Sequence, residues 1–251
     1  MKSKPWSLRE KRLPKAWHIY LRGLRFLFTF FGLLIYASLL FGVLAVEQEL
    51  RVLMDSGLAL IEMVTLIAGI YFSATLFLKE IENKTIYLVL SRPLSRLEYL
   101  LGRVFGLILS LLFIMVSMSF IHLILLFVHH WSWQNSYLWA LAGIFLKALM
   151  LIAAAVFFSL FSTSTIAAIV FSGSLWILGN FTQEIRFLTQ KESGLTAILS
   201  RILLFLFPHF EVLNWRGGFH EAKVLMGASY AALYFSIFLA LSWLIFRAKE
   251  F

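Results

Sequence analysis

The chain has 251 residues, of which 61% are hydrophobic and only 14% charged, and its formal net charge is +9. A soluble domain of this length could not bury so much apolar surface, so the composition predicts an integral membrane protein that lies mostly in lipid. Cysteine is absent, which excludes disulfides, thiolate metal sites and cysteine nucleophiles.

The first predicted element is an amphipathic segment over residues 14–28. Large apolar residues recur there at helical spacing and basic residues share a neighbouring face, while Pro14 suits a first helical turn. This pattern predicts an interfacial helix on anionic lipid that leads into the first membrane span. The alternative is an unstructured basic tail that only enforces topology. We read the first apolar run as a retained anchor and not as a cleaved signal.

Six apolar runs follow, each near or above the roughly 20 residues that a helix needs to cross the hydrocarbon core. They predict an all-α membrane protein with one transmembrane domain over residues 1–251, because the runs are continuously apolar and do not alternate as barrel strands do. The join between the fourth and fifth runs, at Ser162–Ser164, predicts a tight hairpin. The six predicted spans are Leu24–Val46, Gly57–Leu78, Leu100–Val128, Tyr137–Phe161, Thr163–Phe181 and Met226–Phe246.

Lysine and arginine are concentrated in the N-terminal segment, in the hinge after the second span and at the C-terminus. By the positive-inside rule we expect both termini and the hinge in the cytoplasm, with the chain in the cytoplasmic (inner) membrane. This distribution also explains the net charge, so no nucleic-acid partner is expected. The 47–56 loop, with Arg51 as its one basic residue, is expected outside.

The long 182–223 loop is also expected outside, although it is the exception to the charge rule. Its basic residues are Arg186, Lys191, Arg201, Arg216 and Lys223. Residues 195–207 are apolar but are interrupted by Arg201 and followed by Pro208, and they are too short to cross comfortably. We predict a re-entrant or interfacial helix there, before the sixth span.

The hinge between the second and third spans is polar, and its local signals are specific. Residues 86–90 form an apolar stretch too short to span, and Pro93 disfavours helix at the residue before it. Ser95 and Glu98 then form a capping box, which predicts a helix start at Arg96. The pattern indicates a short cytoplasmic helix, a break and a capped third span. Such a segment is either a docking surface or a loop packed on the bundle.

This hinge resembles the cytoplasmic loop of the type-2 ABC-transporter permease family. The matching residues are Glu80 or Glu82, Thr85, Leu88–Leu90, Pro93-Leu94-Ser95-Arg96 and Leu101-Gly102-Arg103. The motif covers about 25 residues, and the six-span layout, the N-terminal amphipathic helix and the outer loop before the last span match the family over the whole chain. The family often has glycine before the threonine, whereas this chain has Lys84.

The resemblance implies a permease, most often an exporter, whose hinge is a coupling helix seated on a separate cytoplasmic ATPase. The implied ATPase-contact residues are Glu80, Glu82, Thr85, Leu88, Pro93, Ser95 and Arg96. The chain has no G-x-x-x-x-G-K-[ST] loop, so Mg-ATP is expected on the partner ATPase and no cofactor on this chain. Expected partners are that ATPase, a second permease copy (the same chain or a close homologue) and membrane lipid.

Glu62 lies inside the second predicted span and Lys147 inside the fourth, each several residues from the ends of its span. Charges in the bilayer are costly, so both are expected to face the bundle interior, a cavity or each other. They are either substrate or gating residues, or else a structural pair or a snorkelling lysine. His122 in the third span is expected to be a packing histidine, and His129-His130 is a weak copper-site candidate.

No catalytic motif is present, so we do not expect an enzyme. The alternative to a transport subunit is a membrane scaffold that holds an envelope or metalloenzyme-maturation complex together without transport. The substrate is not readable from the sequence.

Overall fold

The computed structural model describes Gly32 and residues 49–83, 95–162, 164–191, 207–216 and 221–248. Over these residues the chain is helical and contains no strand. The helices are α1 (Glu49–Glu82), α2 (Arg96–Val128), α3 (Ser136–Phe161), α4 (Thr165–Asn180), α5 (Thr182–Lys191), a short 3-10 helix (Phe210–Leu213) and α6 (Glu221–Ala248). The predicted amphipathic helix and, apart from Gly32, the predicted first span lie outside the described residues.

Four of these helices, α1, α2, α3 and α6, are long and apolar enough to cross a membrane. They correspond to the second, third, fourth and sixth predicted spans. The all-helical membrane architecture is therefore confirmed for the part of the chain that the structure describes.

Two elements differ from the sequence prediction. Helix α1 begins at Glu49, so the predicted 47–56 loop is helical over most of its length. Most of its residues are good helix formers, and Arg51 and Asp55 stand one turn apart, so the helix extends beyond the apolar run. Helix α4 has only 16 residues, or about 24 Å, against a hydrocarbon core of about 30 Å. The predicted fifth span is thus shorter than a full crossing.

The short length of α4 has a local cause. Phe181 interrupts the helix, and the amphipathic α5 follows with polar residues such as Glu184 and Arg186. At the other end of α4, the predicted hairpin with α3 is present. Ser162 turns the chain there, and its hydroxyl both accepts from the Ser164 N–H (3.1 Å) and donates to the Ser164 carbonyl (3.1 Å).

Helix α3 is the centre of the bundle and packs against α1, α2, α4 and α6. Its Ala153–Ala155 run is fully buried, and small side chains of this kind let neighbouring helices approach closely. Helix α2 is peripheral, since large residues along one of its sides, such as Phe113 and Phe120, are exposed as expected for lipid contact. The helices alternate in direction, so the start of α1 lies at one end of the bundle and the start of α2 at the other.

Candidate functional site

Three charged side chains meet inside the bundle. The Lys147 ammonium on α3 lies 2.6 Å from Glu62 Oε1 on α1, and Arg216 Nη2 lies 2.7 Å from Glu62 Oε2. The side chain of Lys147 is only 6% exposed and that of Glu62 14%, whereas Arg216 is 27% exposed. We call this cluster the charge triad. One carboxylate thus bridges a deep cation and a more accessible one.

The packing of α1 against α3 accounts for the pair at the centre of the triad. Lys147 lies on the buried side of α3, between the buried residues Ile144 and Leu151. A carboxylate on the facing helix lets both groups remain charged at low exposure. The sequence predicted that Glu62 and Lys147 face the bundle interior, a cavity or each other. In the structure they face each other and form an ion pair.

Arg216 reaches the triad because residues 207–216 are inserted between the helices. Phe210, Leu213 and Trp215 in this segment are nearly fully buried. The segment also carries the 3-10 helix, which packs against α3, α4 and α6. We refer to residues 207–216 as the inserted segment.

Three glycines, one on each of these helices, make room for the inserted segment. A Cβ at Gly143 on α3 would overlap the Leu213 carbonyl oxygen. At Gly179 on α4 it would lie 2.6 Å from the Phe210 ring, and at Gly227 on α6 it would lie 2.8 Å from the Trp215 ring. Distances this short do not occur for real Cβ atoms, so any side chain at these positions would force the segment to shift.

Arg216 was not among the site residues predicted from the sequence. It belonged to the predicted outer loop whose basic residues were the exception to the positive-inside rule. This exception could have indicated a functional role, because a basic residue that breaks the positive-inside rule is often held by a specific partner. Its partner Glu62 is far away in sequence, and the fold alone brings the two together.

Two cavities meet at Arg216. An open groove of about 430 Å³ lies between α1 and α4; the residues that line it are Ser56, Ala59, Leu60, Glu62, Met63, Trp176, Asn180 and Arg216. A more polar cavity of about 630 Å³ lies toward the start of α1, and its walls include Arg51, Asp55, His130 and Arg216. Arg216, the most exposed cation of the triad, therefore lines both the groove between α1 and α4 and the more polar cavity.

The opposite end of the bundle contains the predicted capping box, which is confirmed. Ser95 is the N-cap of α2, and its hydroxyl accepts from the Glu98 N–H at 3.2 Å. In return the Ser95 N–H donates to the Glu98 carboxylate at 2.8 Å. The start of α2 at Arg96 is thus fixed by local sequence.

A set of contacts ties this helix start to the ends of two other helices. Glu80, near the end of α1, accepts from the Tyr99 hydroxyl and forms an ion pair with Arg103. Arg96 donates to the carbonyl oxygens of Arg247 (2.9 Å) and Phe246 (3.3 Å), at the end of α6. The Tyr99 ring also stacks on Phe246 at 5.8 Å. We call these contacts the hinge node.

The hinge node contains residues from both ends of the predicted coupling segment, Glu80 on one side and Arg96 on the other. Of its predicted contact residues, Glu80, Ser95 and Arg96 are described, and all three bond within the chain. Glu82 is the last residue of α1. Thr85, Leu88 and Pro93 lie outside the described residues, so their predicted role as an ATPase contact stays a prediction.

His122 is a packing histidine, as predicted. It is fully buried, and its ring nitrogens lie 3.1 Å from the Tyr137 hydroxyl and 3.3 Å from the Leu53 carbonyl. Gly57 on α1 provides the space for the ring, because a Cβ there would overlap it.

We expect Gly57→Ala to destabilise the protein by about 1–3 kcal/mol, since it forces the imidazole away from Tyr137. Thermal unfolding in detergent measures the effect. Gly102→Ala, at a glycine with nothing within 4 Å of its Cβ position, is the matched control. Adding His122→Ala to Gly57→Ala should cost less than the two single changes together, because the ring that clashes is gone. Strictly additive losses would contradict this contact.

The pair His129-His130 was the weak copper-site candidate of the sequence. Within the described ranges no three His, Asp or Glu side chains are grouped as metal ligands would be. His129 instead bonds the Leu125 carbonyl at 2.9 Å. Burial, and then the nearby charge of Arg186, lower the pKa of His209 below its ordinary value. His209 therefore adds no positive charge to the inserted segment at neutral pH.

Comparison with known proteins places the chain in a family. The family described as "Protein of unknown function (DUF2705)" matches residues 44–251, a range that includes every helix from α1 to α6. No curated protein matches the chain in sequence.

Proposed function

We propose that this chain, a member of the DUF2705 family, is the permease subunit of an ATP-driven transporter whose ATPase is a separate cytoplasmic chain. In this proposal six helices cross the cytoplasmic membrane, both termini are cytoplasmic, and two permease copies assemble with the ATPase for export. The short α4 crosses the membrane where the bilayer is locally thinned or where other parts of the protein cover the helix end.

One observation supports this proposal above the others, namely the hinge node. The chain leaves α1 and enters α2 at points that are bonded to each other and to the end of α6. A partner that pushed on residues 84–94 would therefore move three long apolar helices together. A loop that merely connected two spans would not need to be tied to a third.

Helix α1 connects the node to the charge triad. Glu80 and Glu62 lie on this one helix, about 27 Å apart along its axis at 1.5 Å per residue. A tilt of α1 at the node would change the distance between Glu62 and Arg216, because Arg216 is held by a different part of the chain. In this proposal the charge triad is the gate, and ATP-driven movement of the hinge opens or closes it through α1.

The node also divides the predicted contact residues by role. Glu80 and Arg96 act as positioning residues, since both are engaged within the bundle. Ser95 caps α2 and holds the angle at which the coupling segment meets the membrane. Contact with the ATPase is left to Glu82, Thr85, Leu88 and Pro93.

Purification of the full chain in mild detergent should bring a cytoplasmic ATPase with it. Glu82→Lys and Thr85→Trp are each expected to reduce the recovered ATPase at least about tenfold, because charge reversal or bulk in a docked segment opposes binding. Quantitative mass spectrometry of the eluate measures the ratio of ATPase to permease. Glu184→Lys, a charge reversal at an exposed position on α5, is the control and should leave that ratio unchanged.

The competing hypothesis, a scaffold subunit, makes a different prediction for the same experiment. Recovery of envelope or maturation proteins without any ATPase, in wild type and variants alike, would contradict the transport proposal.

A further inference from the structure

We propose that the groove between α1 and α4 binds an amphiphile with an anionic head group, carboxylate or phosphate, and an acyl chain. The head group is placed on Arg216 and the chain along the groove. This inference rests on the proposed transport function, because it names the substrate class of that transporter.

The charge balance of the triad indicates an anionic head group. Lys147 and Arg216 carry two positive charges, and among the residues that the structure describes both form ion pairs only with Glu62. The triad therefore has one more cation than carboxylates, and Arg216 is its most exposed member. A structural pair needs only Glu62 and Lys147, and adding a second cation raises the desolvation cost without need.

Arg216 is the group that can take the anion. Its guanidinium has five N–H donors, and Glu62 Oε2 is its one partner within the described ranges. It is also the most exposed member of the triad and lines the groove. A planar guanidinium can hold one carboxylate on one edge and a second anion on another, in the bidentate manner that favours carboxylate and phosphate.

The walls of the groove match an acyl chain. Ser56, Ala59, Leu60 and Met63 stand at positions i, i+3, i+4 and i+7 of α1, so they form one helix face. Trp176 and Asn180, one turn apart, form the facing side on α4. Met63 is half exposed although it lies in a span. The volume of about 430 Å³ is in the range of small-molecule sites, and the groove is open along one side as lateral lipid access requires.

The test uses the full chain in phosphatidylcholine liposomes and a hexadecanoic acid that carries a photoreactive diazirine. We expect labelling of peptides that contain residues 56–63 and 176–180. Unlabelled hexadecanoate and hexadecyl phosphate should compete. Hexadecanol should not compete because it lacks the negative charge, and inorganic phosphate should not compete because it lacks the chain. Equal competition by hexadecanol, or labelling spread evenly over all lipid-facing helices, overturns the inference.

Four variants sharpen the result. Arg216→Gln is expected to weaken specific labelling about tenfold or more, and Arg216→Lys to keep part of it. Lys223→Gln, at an exposed lysine that does not line the groove, is the matched control and should label normally. Ala59→Phe should block labelling by filling the groove from an exposed position, which keeps the test decisive if Arg216→Gln does not fold.

The two proposals fail in different ways. Recovery of an ATPase with the wild-type chain but no competable labelling rejects the anionic amphiphile and leaves the transport function standing. Competable labelling that depends on Arg216, without any ATPase, supports the groove as an anionic-amphiphile site and rejects the transport function.

Discussion

Glu62→Gln is expected to have the largest effect on stability of any single change in the charge triad. The carboxylate is the shared partner of Lys147 and Arg216, so its removal leaves a buried ammonium and a partly exposed guanidinium without a counter-charge. Removing one partner of a buried ion pair typically costs about 3–5 kcal/mol. We expect a strongly lowered melting temperature in detergent and poor recovery of the monodisperse protein by size exclusion.

The triad also predicts an asymmetry among its variants. Lys147→Met should be far better tolerated, because Glu62 keeps Arg216 and a flexible apolar side chain replaces a buried ammonium. The double variant Glu62→Gln with Lys147→Met should be more stable than Glu62→Gln alone. Glu184→Gln, at an exposed carboxylate on α5, controls for the loss of a negative charge. If Glu62→Gln and Glu184→Gln melted alike, the triad could not be holding the bundle together.

The second large effect is expected from Gly143→Ala. The new methyl group would overlap the backbone carbonyl of Leu213, which cannot rotate away as a side-chain end can. We therefore expect the inserted segment to be displaced from the bundle and Arg216 to be drawn away from Glu62. Overpacking of this kind typically costs about 1–3 kcal/mol.

The absence of cysteine makes this displacement measurable. A single cysteine placed at Leu213, which is buried in the wild type, should react slowly with a water-soluble maleimide. In the Gly143→Ala background the same cysteine should react much faster. Gly173→Ala on α4, where a Cβ would meet nothing within 4 Å, is the matched control. Identical reaction rates in both backgrounds would mean that the inserted segment does not depend on this contact.

Features that depend on neighbouring residues could be predicted from the sequence. The capping box was identified correctly because Ser95 and Glu98 interact within one helical turn, so the local sequence determines the geometry. The tight turn at Ser162 was predicted for the same kind of reason. The packing role of His122 was predicted from its place in an apolar span, although its partners Tyr137 and Leu53 lie on other helices. The four long helices were predicted because continuous apolar runs have few alternatives in a bilayer.

Features that depend on distant parts of the chain could be predicted only in part. The cost of a charge in lipid indicated that Glu62 and Lys147 needed partners. It did not show whether they face each other, a cavity or the bundle interior. Arg216 was missed because its partner comes from another helix. The start of α1 was placed too late, because hydropathy reports where a helix contacts lipid and says nothing of helical turns beyond it.

The three glycines that receive the inserted segment impose an order on the biogenesis of the protein. Gly143 and Gly179 precede the inserted segment in the chain, but Gly227 follows it on α6. The space that receives the segment is therefore incomplete until the last helix has been synthesised and inserted. Glu62 and Lys147 can neutralise each other as soon as α1 and α3 are in the membrane. Arg216 is held by the inserted segment, so a chain that stalls before α6 would lack part of the packing that places Arg216 against Glu62.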